Sequence, residues 1–187
     1  MIIAGIIILV LILTVICISI YNSLIAKKNE TDNAFGAIDA MLKKRFDLLP
    51  NLVETVKQYM QYEGDLLTKV VALRSRASSP NLRIDEKLKI DQELSHEIKG
   101  LMINVENYPN LKSDQSFTNL QVTWTESEEQ IAAARRTYNA VITEYNNAIM
   151  MFPGSIFAGM LNYTAKPVLS ISETERNNVN AKDLFNS

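Results

Sequence analysis

The chain has 187 residues, 19 basic and 21 acidic side chains, and 47% apolar residues. A near-balanced charge gives no electrostatic footprint for nucleic acid or another polyanion, and the length allows one ordinary domain plus something extra. One cysteine and one histidine exclude an intrachain disulfide and leave little material for metal or nucleophilic chemistry.

The charges are unevenly placed. Apart from the amino terminus, none precedes Lys27. Ile2–Ile20 is apolar except for Thr14 and Ser19, and the run to Leu24 crosses a hydrocarbon core of ~30 Å at ~1.5 Å per residue. Residues 1–26 are therefore read as a membrane anchor, bounded by Ile2 and Ile20, with Tyr21 at the interface. A cleaved signal peptide fits poorly, since no basic n-region or A-x-A-like site accompanies an overlong apolar core. Ile16, where a lipoprotein anchor needs a small residue, leaves Cys17 as an apolar residue of the span; acylation or crosslinking is the alternative. Lys27-Lys28 favour a single pass through the cell membrane, with the N-terminus outside and the bundle in the cytoplasm.

Residues 27–161 read as a helical bundle. Apolar residues at Phe35, Ile38, Leu42, Phe46, Leu49, Val53, Val56, Met60, Leu67 and Val71 share one helix face. Lys43, Lys44, Arg45, Asp47, Glu54 and Lys57 are placed on the opposite face, in water, with Asp39–Lys43 as an i, i+4 pair. The pattern persists to about Ala77, predicting a helix that continues from the span and kinks at Pro50, whose ring crowds the Phe46 carbonyl. A full break near Asp47 is the alternative. Counted from Lys27, such a rod would reach roughly 75 Å, and its stripe must be covered by other helices or by copies of itself.

Ser78-Ser79-Pro80-Asn81 should end that helix. A second, opened by Asp85 or a neighbour, carries Ile84, Leu88, Leu94, Ile98, Leu101, Met102 and Val105 and stops at Tyr108-Pro109-Asn110. Ser113-Asp114 should cap a third, with Phe117, Leu120, Trp124, Ile131, Ala134, Tyr138, Val141, Tyr145, Ile149 and Phe152 on its apolar face, ending at Pro153-Gly154. Short links make long helices antiparallel neighbours. The expected fold is all-α: a transmembrane helix continuing into an elongated antiparallel bundle of three long helices, with a short fourth from about Ser155 to Leu161. Residues 162–187 form a polar tail, expected to lack order beyond Pro167 unless Leu184-Phe185 docks.

Chemistry is sparse. Glu93 and His96 share a helix face at i, i+3, as in di-iron bundles, but such sites need a second motif and further glutamates; an exposed pair is the plainer reading. Cys17 has no base within reach, and no glycine-rich loop could cradle phosphate. No catalytic residue, cofactor or metal is expected. Lys43-Lys44-Arg45 is read as a solvated face, with anionic lipid or an acidic partner surface as the functional reading. Tyr138-Asn139 and Tyr145-Asn146 lie seven residues apart on one helix face, with Tyr21-Asn22 a third copy. They are read as hydrogen-bonding across helices to fix register, the alternative being a ligand or partner groove.

These blocks resemble the LemA family of bacterial membrane proteins. The resemblance rests on the N-terminal span with Tyr21-Asn22, on Asn29, and on Ile38-Asp39-Ala40-Met41-Leu42-Lys43-Lys44-Arg45. It continues through Asp47-Leu48-Leu49-Pro50-Asn51-Leu52-Val53-Glu54 and Val56-Lys57-Gln58-Tyr59. Tyr108-Pro109, Ala134-Arg135-Arg136-Thr137-Tyr138-Asn139, Tyr145-Asn146 and Phe152-Pro153 follow in the family's order. In the tail, Pro167-Val168-Leu169 stands where the family often has an aromatic pair. The resemblance implies a single-pass helical-bundle protein without catalytic residues, similar to scaffold or adaptor proteins at the membrane. It marks Asp47, Pro50, Asn51 and Glu54, and Arg135, Arg136, Tyr138, Asn139, Tyr145 and Asn146, as candidate contact or register residues. The expected partners are the lipid bilayer, further copies of the chain, and an alternative membrane-protein partner such as a protease or signalling component; nucleic acid is not expected.

Overall fold

A computed structural model of the chain describes residues 2–60, 64–79 and 82–169, and every regular element among them is helical. In chain order these are α1 (Ile2–Phe46), α2 (Leu49–Lys57), α3 (Gly64–Ala77) and α4 (Ile84–Asn104), then α5 (Pro109–Lys112), α6 (Gln115–Met150) and α7 (Gly154–Met160). A 3-10 turn at Val105–Asn107 joins α4 to α5.

The 45 residues of α1 form one unbroken helix, ~67 Å long at the usual rise. From Ile2 to Ser19 its side chains are exposed on every side, whereas Ala34, Ile38, Leu42 and Phe46 are buried in the core. A segment long and apolar enough to cross a membrane thus leads into the bundle without a break. Helical geometry is interrupted at Asp47-Leu48, where the Leu48 N–H donates to the Arg45 carbonyl at 3.1 Å, an i to i+3 tightening. Pro50 then sits in the first turn of α2, where its missing N–H leaves no intrahelical bond unmade.

The rod expected to reach Ala77 folds back instead. Asp39 of α1 pairs with Lys87, and Arg45 with Asp91, so α4 runs in the same sense as α1. Arg76 pairs with Glu93, and Lys69 with Glu97, so α3 runs the other way. Met60, just beyond the end of α2, and Leu67, on α3, are both buried, but the chain runs in opposite senses on the two sides of them. This is why one apolar phase could be followed across the turn between them. Phe35 and Val71, placed on the stripe by spacing, lie largely exposed. α6 returns antiparallel to α1 along the whole bundle, as Arg45–Glu128, Lys44–Gln130 and Lys27–Glu144 record.

The main core runs from Ala34 to Ile142, and a smaller cluster of Leu24, Tyr145, Ile149 and Ala158 lies at the end nearest the span. Asp114 caps α6 by accepting from the Phe117 N–H at 2.9 Å, and it also accepts from the Tyr59 hydroxyl at 2.9 Å. The end of α2 is thereby tied to the start of α6. At the opposite end Gly154 permits a close approach: a β-carbon there would lie 2.1 Å from the Ala148 carbonyl oxygen. Phe152, expected on the apolar face of α6, is 81% exposed, because α6 ends at Met150 and the chain turns. Leu184-Phe185 lie outside the described residues.

Candidate functional site

Two polar constellations stand out, one inside the bundle and one along its flank. The first is centred on Arg45, which is 2% exposed rather than on the solvated face where the sequence placed it. Arg45 Nη1 donates to both Asp91 oxygens at 3.0 and 3.2 Å, and Nη2 donates to Glu128 at 2.9 Å. Its guanidinium lies 3.9 Å from the centre of the Trp124 ring, a cation–π arrangement. α1, α4 and α6 are clamped together by one side chain.

Stripe phase explains the burial. Arg45 follows Leu42 by three residues and precedes Leu49 by four, so it occupies an apolar-face position. Asp91 fills the gap between Leu88 and Leu94, and Ser127 and Glu128 fill the gap between Trp124 and Ile131. Gaps in three stripes therefore meet in one polar layer. Burial pushes the Asp91 carboxyl up to about 6, with the Arg45 guanidinium pulling the other way.

The second constellation is built on Asn139 and Asn146, which do not bond across helices. Asn146 donates to the Lys166 carbonyl at 2.8 Å and accepts from the Lys166 N–H at 2.9 Å. Asn139 does the same with Leu169, at 2.9 and 2.8 Å. A primary amide carries the donor and acceptor needed to pair with both backbone groups of one residue. Seven helical residues rise ~10.5 Å and three extended residues span ~10 Å, so the two asparagines match residues 166 and 169 in register. The segment 163–169, expected to lie in the tail, is thus strapped along α6. The Tyr145 hydroxyl donates to the Thr164 carbonyl at 3.3 Å. Lys166 Nζ reaches α1, donating to Thr31 Oγ1 at 2.6 Å and pairing with Asp32 at 3.1 Å. Lys28 and Lys166 hold the Asp32 carboxyl below its ordinary value, the Lys28 hydrogen bond being the largest influence.

The remaining sequence candidates are dispersed. Lys43 pairs with Asp47 at 2.7 Å and not with Asp39, and Lys44 donates to Gln130 at 3.3 Å. Pro50, Asn51 and Glu54 are exposed together on α2. Tyr138 and Tyr145 are buried, Arg136 is exposed, and half-buried Arg135 is close enough to lower the Asp91 carboxyl. Ile2 and Tyr21 are exposed, while Ile20 packs on the smaller core cluster. Glu93 pairs with Arg76 and His96 is exposed. Asp91, Glu128, Thr31, Asp32 and Lys166 were missed by sequence reasoning. The stripe gaps could have signalled the first two; the others depend on the strap.

Protein LemA of Metamycoplasma hominis is 26% identical over 165 residues, covering 88% of this chain and 75% of its own length. Magnetosome proteins MamQ 1 and MamQ 2 of Paramagnetospirillum magneticum are each 20% identical over 163 residues, covering 74% of this chain. The chain spans 60% of the length of each magnetosome relative. The family model described as LemA family matches residues 34–182, from the point where α1 enters the core through the Arg45 layer and the strap, and the chain belongs to that family.

Proposed function

We propose that this is a non-enzymatic, membrane-anchored bundle protein that acts as a self-associating structural scaffold. The observation that carries the reading is the continuity of α1. One helix joins an apolar segment exposed on all sides to a bundle closed around its own core, so the bundle is held close to the bilayer with no flexible linker between them. The two polar constellations serve structure: their carboxylates and amides and both terminal nitrogens of the Arg45 guanidinium are engaged with one another or with backbone, the buried Arg45 Nε alone having no hydrogen-bond partner among the described residues. None of the three relatives bears an enzymatic name, which favours the same reading. Since α3, α4 and α6 cover the stripe of α1 and α2 within one chain, contacts between copies fall to the span and to exposed apolar residues such as Phe35 and Val122.

An adaptor that binds another membrane protein is the second reading. It is favoured by the groove at the end of the bundle far from the span, lined by Met60, Leu67 and Val71 together with Lys57 and Thr68. Particle mass of the full-length chain in mild detergent separates the two. A defined assembly of many copies is expected; a monomer would overturn self-association and direct attention to the distal groove.

A further inference from the structure

A second charge-free stretch lies beside the first. Between Glu144 and Lys166 there is no aspartate, glutamate, lysine, arginine or histidine, and this stretch contains the end of α6, the turn and all of α7. The other such stretch precedes Lys27. The two end close together along the structure: Lys27 pairs with Glu144 at 3.0 Å, and Lys166, closing the second stretch, pairs with Asp32 five residues further along α1. Those ion pairs mark a line. On one side of it charges are frequent, and on the other the described chain carries none.

The α6–α7 corner hangs on the uncharged side. Met151, Phe152, Pro153 and Gly154 share a shallow cleft with Ser19, Ile20, Ser23 and Leu24 of α1, which the Lys27–Glu144 pair also lines. Ser19 is eight residues before Lys27, ~12 Å down the helix. The polar interface of a bilayer is only ~5–7 Å deep on each side, so a span ending near Tyr21 puts this cleft at the edge of the hydrocarbon. The corner turns apolar side chains outward: Met150, Met151, Phe152, Ile156 and Met160 are each more than half exposed. Leu24, Tyr145, Ile149 and Ala158 pack on the inner side and fix the corner's height on α1.

We propose that the α6–α7 corner is a second membrane contact, a wedge seated in the leaflet beside α1, and that its occupant is the acyl and glycerol region of that bilayer. The proposal rests on α1 being a membrane span. Apolar side chains seated 5–10 Å into the headgroup–acyl boundary are the means by which interfacial helices bind lipid. A span alone leaves a bundle free to tilt and rotate about its exit point; a second contact removes that freedom and gives the bundle a set azimuth on the membrane.

The test uses the full chain with Cys17→Ser, carrying a single environment-sensitive nitrobenzoxadiazole label at Phe152→Cys, in phosphatidylcholine–phosphatidylglycerol vesicles. Met150→Cys supplies a second position should the first fold poorly. Val10→Cys reports the span, and Thr125→Cys reports the exposed far part of α6. The label at Phe152 should emit to the blue, be quenched by a nitroxide placed shallowly on the acyl chain, and escape aqueous iodide. The Thr125 label should be reached by iodide alone. A Phe152 label quenched by iodide and not by lipid, while the Val10 label is quenched by lipid, would overturn the wedge and leave the span intact. A Phe152 label shielded from both quenchers would show protein, such as a second copy, on the patch and would overturn the lipid assignment. A Val10 label untouched by lipid would overturn the span itself and the wedge with it.

Discussion

Replacing Arg45 by methionine tests whether the buried polar layer is organised as the geometry implies. The substitution keeps much of the volume and the stacking surface on Trp124, but removes the partner of Asp91 at 3.0 Å and of Glu128 at 2.9 Å. Glu128 is half exposed and can turn to water; Asp91, with 9% of its side chain exposed, cannot. Taking one partner from a buried pair costs about 3–5 kcal/mol, because the remaining charge is left uncompensated. For a chain of this size that is a loss of about 6–20 °C in melting temperature. The pH dependence distinguishes this cause from simple loss of packing. In the native wild type Asp91 already titrates at about 6, above its ordinary value of 3.8. Without Arg45 its native value rises further, since the largest opposing influence is gone. A raised carboxyl binds its proton more tightly in the folded state, so stability recovers as pH falls below the native value, by about 1.4 kcal/mol per pH unit, until the unfolded chain titrates near 4. Melting followed by far-ultraviolet circular dichroism in detergent at pH 8 and pH 5 should show the deficit shrinking at pH 5. Arg45→Met with Asp91→Leu should recover most of it at pH 8. An equal deficit at both pH values, or one below about 1 kcal/mol at pH 8, would refute the reasoning.

The wild type should itself gain stability as pH falls from 7 towards 4, by at most about 3 kcal/mol from Asp91. Asp32 and Asp114, whose carboxyls are held below their ordinary values, oppose this only at lower pH, where the unfolded chain takes up protons at these groups before the native state does. Replacing Asn139 and Asn146 together with alanine removes four hydrogen bonds to residues 166 and 169, each worth about 0.5–1.5 kcal/mol. Amide hydrogen exchange of residues 163–169 should then accelerate while α4 keeps its protection; unchanged exchange would mean that the strap is held by other contacts. Asp114→Ala removes the α6 cap and the acceptor of Tyr59, and should lower the melting temperature. Gly154→Ala drives a methyl group into the Ala148 carbonyl; iodide quenching of a label on Ala158→Cys, now buried, should rise if the corner is forced off α1.

The sequence alone determined what depends on periodicity and composition. The charge-free run before Lys27 announced a membrane-length helix, stripes at three- and four-residue steps announced long helices, and Ser113-Asp114 announced the start of α6. These are local properties, set within a few turns of chain. The fold-back between Met60 and Leu67 was not legible, because both residues are buried and a stripe records only which face is apolar, not the direction in which the helix points. Nor was the place of Arg45 obvious from its charge, although its phase between Leu42 and Leu49 put it on the buried face. Pairing it with Asp91 and Glu128 required knowing that α4 runs with α1 and α6 against it. The asparagines of the Tyr-Asn repeats were recognised by their spacing, but their partner was an extended segment whose register matches a helix only once the chain has turned at Gly154. Sequence chose the faces; tertiary structure chose what each face meets, because contacts between residues scores of positions apart exist only after the turns have set the sense of every helix.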